Sequence, residues 1–198
     1  MSGSSGVDRV RERIVETAGE LFTSRGINAT GVDLICESAG VSKRSMYQRF
    51  ASKDELVAVY LADMVESLRK EYLPDDEAVL TPVERILAVF AAAQRGSRDE
   101  YFRGCRLLNA SAELADPEHP GRLIAAGGKL DIQAYFAEQA AEAGARDPGA
   151  LAEHLAILFD GGFSYALVRR TTMPIGVLAA ARALIETHLA EVPPPAGR

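Results

Sequence analysis

The chain has 198 residues, 47% of them hydrophobic and 25% charged, with a formal net charge of −6. A chain of this length buries about 70% of its unfolded surface, so a core needs neither disulfides nor a structural metal, and one large domain or two small ones would fit. The negative total would exclude nucleic acid only if it were evenly spread, but residues 1–55 hold eight Lys/Arg against eight Asp/Glu and the whole deficit lies beyond them.

Residues 1–7 read as a disordered head or an expression remnant. A first helix is expected from about Asp8 to Ser24, with Val10, Ile14, Ala18, Leu21 and Phe22 on one stripe. Gly26 ends it. Thr30 is expected to cap a short second helix carrying Val32, Ile35 and Ala39 inward, with Asp33 completing a weak capping box. Gly40 then supplies the positive φ of a sharp turn, and Ser42 caps a third helix. Met46 and Phe50 share one face of that helix, with Val41 leading in, while Lys43, Arg44, Tyr47 and Gln48 lie on the other. Between Ser42 and Lys53 there are four cations and no carboxylate. A small pinned helix with an outer face of cations, an amide and a phenol suits the major groove. A solvated basic helix is the plainer alternative.

Ser52-Lys53-Asp54-Glu55 opens a fourth helix running to about Tyr72, where Leu73-Pro74 stops it. Thr81-Pro82-Val83-Glu84 opens another that closes near Gly96. Further helices are expected from about Glu100 to Ala115, from Pro120 to Gly144 with an interruption at Gly127-Gly128, from Asp147 to Arg170, and from Pro174 to Leu189. The glycine pairs Gly127-Gly128 and Gly161-Gly162 imply a kink, a close helix contact or room for a ligand. Residues 192–198 form a Pro-rich tail. No stretch alternates with period two, so the chain is all-α.

The first sixty residues closely resemble the DNA-binding domain of TetR-family transcriptional regulators. The matching residues are Leu21-Phe22, Gly26, Thr30-Gly31-Val32, Ile35, Ala39 to Lys43, Met46-Tyr47, Phe50 and Ser52 to Leu56. The resemblance implies a helix-turn-helix over residues 8–54, joined by the long fourth helix to a ligand-binding and dimerisation domain over residues 55–191. It implies a homodimer on a pseudo-palindromic double-stranded operator, released by an effector that the apolar pocket candidates below make small and mostly apolar. Repression is the family's commoner mode; an activator, or a helical scaffold binding protein instead of DNA, is the alternative. By position, Thr30, Tyr47 and Lys53 would contact phosphates, while Lys43, Arg44, Ser45 and Gln48 would lie near base edges beside the capping Ser42. Many relatives carry glycine where this chain has Arg44, so a base contact or a phosphate clamp is gained there. Part of the Tyr47 ring is expected to pack on the small core.

Beyond residue 70 the resemblance is one of architecture, with a looser echo in Phe102-Arg103-Gly104-Cys105, Asn109, Glu113 and Asp116 to Pro120. Pocket candidates are the polar face of Cys105, Asn109 and Glu113, four residues apart. Phe90, Phe102, Tyr135, Phe159, Phe163 and Tyr165 are candidate aromatic walls, and plain core is the alternative for each ring. Asn109 and Glu113 would equally serve to brace a helix end or the Asp116–Pro120 turn. For the dimer interface the surplus apolar positions of the last two helices are expected: Leu151, Leu155, Leu158 and Phe163, with Leu178, Ala181, Leu184 and Ile185; a monomer with unusually buried terminal helices is the alternative.

An enzyme is not expected. His119, His154 and His188 fall in separate segments without zinc-ligand spacing, and Gly161-Gly162-Phe163-Ser164-Tyr165 is no nucleophile elbow. No cofactor or metal is expected. The two cysteines, Cys36 and Cys105, form no CxxC pair and read as reduced thiols of a cytoplasmic protein. No apolar run long enough to span a bilayer, and no signal-peptide core, is expected.

Overall fold

The structure, a computed structural model, describes residues 8–74, 79–100 and 102–190. The head and the Pro-rich tail lie outside the described residues, which form nine α-helices and no strand: α1 (Arg9–Arg25), α2 (Val32–Ala39), α3 (Lys43–Tyr47), α4 (Lys53–Tyr72), α5 (Pro82–Gly96), α6 (Arg106–Glu113), α7 (Pro120–Glu142), α8 (Pro148–Arg169) and α9 (Gly176–Leu189). They fall into two compact units, within Met1–Glu66 with Arg106–Gly128, and within Ser67–Cys105 with Lys129–Arg198. The unit that holds the first three helices therefore also takes in α6 and the start of α7.

In the first unit α1 packs on α2 and α2 on α3. Ile14, Ala18 and Phe22 of α1, Ile35 and Ala39 of α2, and Met46 of α3 are buried, as are Phe50, Leu56 and Leu61. Asp8 caps α1 by accepting from Val10 and Arg11 N–H. The helix ends at Gly26, whose φ of +95° an L side chain rarely adopts. At α2 the expected cap is corrected. Gly31 is the N-cap, without a side-chain bond, because the Thr30 hydroxyl turns back to the end of α1. Gly40 adopts the left-handed conformation that the α2–α3 turn requires.

α7 is continuous through Gly127-Gly128, contrary to the expected interruption. Close approach accounts for the second glycine: a Cβ on Gly128 would meet Val65 Cγ2 at 2.7 Å and Leu107 Cδ1 at 3.0 Å. α6 is shorter than expected, since the chain before Arg106 turns at Gly104 with φ +78°.

The second unit is built around rings. Phe90 stacks on Phe136 at 5.6 Å and meets Phe159 edge-on at 5.5 Å, while Phe159 and Phe163 pack edge-on at 5.0 Å. Tyr72 adds an edge contact to Phe159, and Phe102 stacks on Phe163. The capping box opening α5 is present, Thr81 accepting from Glu84 N–H and Glu84 from Thr81 N–H. α8 corrects the membrane expectation, being long and apolar enough to cross a bilayer by length and composition. Its apolar surplus has a local use, because Leu151, Leu155, Phe159 and Phe163 are buried in this unit's core.

Candidate nucleic-acid interface

α3 is five residues long and is fixed at both ends. Ser42 Oγ accepts from Ser45 N–H at 3.1 Å, and Met46 and Phe50 are buried behind it. Arg44, Tyr47 and Gln48 are exposed, and Tyr47 retains 51% of its accessible surface. Among the described residues none of the three has a hydrogen bond or ion pair through its side chain.

The other cations of this stretch are engaged inside the chain. Lys43 Nζ lies 2.5 Å from the Asp33 carboxylate on α2, and that bond raises its pKa above the usual lysine value. Arg49 donates from Nε to Asp8 Oδ2 at 2.8 Å and from Nη1 to the Ser45 carbonyl and hydroxyl. The Asp8 carboxyl is held below its ordinary range chiefly by the Arg11 N–H, with Arg49 adding to the effect. Lys53 donates to the Ile27 carbonyl at 2.6 Å, and partial burial pushes its pKa down. The stretch from Ser42 to Lys53 contains no carboxylate, but Asp33 and Asp8 reach two of its cations through the fold.

Thr30 is fully buried, and its hydroxyl donates to the Gly26 carbonyl at 2.7 Å. That placement corrects its assignment to a phosphate: the hydroxyl holds the α1–α2 loop and offers nothing to solvent. Ser45 is half-buried and carries Arg49. Of the expected set, Lys43, Arg44, Tyr47 and Gln48 lie outermost with the capping Ser42, while Lys53 is tied to the loop.

Glu113, expected either in a pocket or as a brace, stands in the first unit. Its carboxylate accepts from Asn28 N–H at 3.0 Å, and the Asn28 side-chain amide donates to the Glu113 carbonyl at 2.8 Å. A Cβ on Gly26 would meet that carboxylate at 2.9 Å, so glycine there serves the backbone turn and the brace together. His119 lies near Asp54 of α4, with Nδ1 accepting from Gly121 N–H. Neither α6 nor His119 would be assigned to this unit by local spacing, because their partners are distant in sequence.

In the second unit Phe90, Phe159 and Phe163 lie in the ring cluster, with Phe102, Cys105 and Tyr135 packed against it. Gln139 is 3% exposed and its Oε1 has no hydrogen-bond partner among the described residues. Five residues of the expected dimer stripe are instead buried within this unit's own core, and three are partly buried. Leu151, Leu155, Phe163, Ala181 and Ile185 are each 2% exposed or less, and Leu158, Leu178 and Leu184 pack against the same core. The stripe free for another surface is Ile157, Gly161, Tyr165 and Val168 on α8, with Ile175 before α9. Both stripes have helical spacing, and the sequence alone does not rank them. Among the described residues no group of three or more His, Cys, Asp or Glu side chains is placed to hold a metal ion.

A family profile described as bacterial regulatory proteins, tetR family, matches residues 14–60. The chain is similar over 91% of its length to a solved TetR transcriptional regulator of Streptomyces avermitilis, with 36% identity, 98% of that chain covered and a TM-score of 0.87. The HTH-type transcriptional repressor KstR2 of Mycobacterium tuberculosis is 33% identical over 87 residues, 44% of each chain. The HTH-type transcriptional activator FasR of Mycolicibacterium smegmatis is 43% identical over 61 residues, 31% of this chain and 28% of that one. These alignments with curated relatives thus span less than half of the relatives' own length.

Proposed function

This chain belongs to the TetR family of transcriptional regulators, and from that membership we propose that it is a cytoplasmic, dimeric repressor, released from a pseudo-palindromic operator by a small, mostly apolar effector. It acts by binding, not catalysis. One observation carries the DNA reading: Arg44, Tyr47 and Gln48 stand exposed and internally unengaged on a helix whose opposite side is anchored by Met46 and Phe50. Such a face can enter a major groove and meet base edges.

The free stripe of Ile157, Gly161, Tyr165 and Val168 supports a homodimer, because apolar surface of this kind is most economically covered by a second copy. Two recognition helices would then engage half-sites about 34–36 Å apart, one turn of DNA. The apolar, aromatic make-up of the second unit's core supports an effector that is mainly apolar. Such an effector shifts operator binding only by its difference in affinity for the bound and released states. The similarity to an activator over 61 residues keeps activation as the second reading.

The test is selection of duplexes from a random pool by purified protein, with its mass measured in solution. A two-fold symmetric site and a dimer are expected. A failure to enrich any sequence would remove the DNA reading, and a monomer at working concentration would remove the dimer.

A further inference from the structure

Three of the four cations between Ser42 and Lys53 are neutralised or engaged by the fold itself. Lys43 sits on Asp33, Arg49 on Asp8, and Lys53 on a backbone carbonyl. The Lys43–Asp33 pair is exposed, so its bond contributes little to stability. Its effect on the field does not depend on that bond persisting, because Asp33 stays beside α3 whichever way Lys43 points. The reading face therefore presents Arg44 as its one cation without a partner among the described residues, with Gln48 one helical turn further on.

We propose that operator choice rests on this pair, with Arg44 reading a guanine and Gln48 an adenine, while Asp33 suppresses sequence-independent binding by cancelling Lys43. The proposal rests on the DNA-binding reading above and names what that site recognises. Arginine makes two parallel bonds to guanine O6 and N7, and glutamine the equivalent pair to adenine N6 and N7. Residues four apart are about 6 Å apart along a helix axis. With bases stacked about 3.4 Å apart, the two contacts fall one or two base pairs from each other in each half-site. A protein that spent all four cations on phosphates would bind any duplex; one free arginine leaves most of the discrimination to the base.

The experiment compares wild-type protein with R44A, Q48A and D33N, all at exposed positions and each checked for an unchanged melting transition. Each is put through selection from a random duplex pool, and affinity for the wild-type consensus and for scrambled duplex is measured across a salt series. The wild type should enrich a guanine and a nearby adenine in each half-site. R44A should lose only the guanine preference and bind the consensus about 10- to 100-fold more weakly for each half-site, and Q48A should do the same for the adenine. D33N should keep both preferences, bind scrambled DNA more tightly, and steepen the salt slope by about 0.9 per subunit. Guanine still enriched by R44A, with affinity reduced equally on every duplex, would make Arg44 a phosphate clamp and overturn the base assignment while leaving the regulator reading intact. An unchanged salt slope in D33N would overturn the role of Asp33. A wild type that enriches nothing overturns the regulator reading and this inference together.

Discussion

In the unit that carries α3, the α1–α2 loop and the segment after α3 are held by directed polar bonds, whereas the centre of the other unit is a cluster of rings. The α1–α2 loop is held by Thr30 on Gly26, by Lys53 on Ile27 and by the double bond set of Asn28 with Glu113, while Arg49 ties the segment after α3 to Asp8. The second unit has its own polar ties, the buried bond from Met173 N–H to Ser97 Oγ and the exposed one from Arg146 to the end of α9. Its middle is Phe90, Phe136, Phe159 and Phe163. Hydrogen bonds fix direction, and a surface that must match a groove needs direction. Ring packing in the second unit supplies burial and prefers stacked or edge-on pairs, so its cost on truncation is one of lost packing.

Breaking the ring cluster should have the largest effect. Phe159→Ala is expected to lower unfolding stability by about 3–5 kcal/mol, read by denaturant titration. A loss under 1 kcal/mol would mean that the rings are not what holds the second unit. Glu113→Ala should cost less, about 1–3 kcal/mol, but should act locally, with amide exchange at Asn28 rising first. Exchange that rose evenly over the chain would contradict the brace. Thr30→Val removes only a buried hydroxyl and should cost about 1 kcal/mol. It should leave affinity for DNA unchanged, whereas loss of a hydroxyl–phosphate hydrogen bond would weaken binding to every duplex alike.

The smallest effect is a pH dependence. The Asp8 carboxyl is held low in the folded state, so its contribution is present above the ordinary carboxylate range, about pH 4, and is lost as pH falls through the folded value. Asp8→Asn keeps a good cap and removes the charge. The melting temperature of the wild type should exceed that of the variant near neutral pH, and the gap should close on acidification. A gap that widened toward low pH would reverse the assigned sign.

Local features were legible in the sequence because their causes are local. Ser42 capping α3, Gly40 turning left-handed and the Thr81–Glu84 box all act within a few residues, and each could be read from spacing alone. Thr30 misled because a threonine before a helix has two uses, capping forward or bonding backward, and the tertiary fold chooses. The burial of five residues of the expected dimer stripe has a similar cause. α8 is apolar on more than one side, and which side faces the core depends on helices far away in sequence. The cation face looked unopposed because Asp8 and Asp33 lie outside the stretch. Local charge counts cannot register partners supplied by a turn of the chain.

The claim on which everything else depends is that the outer face of α3 touches duplex DNA. Photocrosslinking tests it directly, with p-benzoylphenylalanine placed at Tyr47 in one protein and at Ile157 in another, each irradiated with the selected duplex. The account predicts a protein–DNA adduct from position 47 and a protein–protein adduct from position 157. DNA captured at 157 and not at 47 would contradict it.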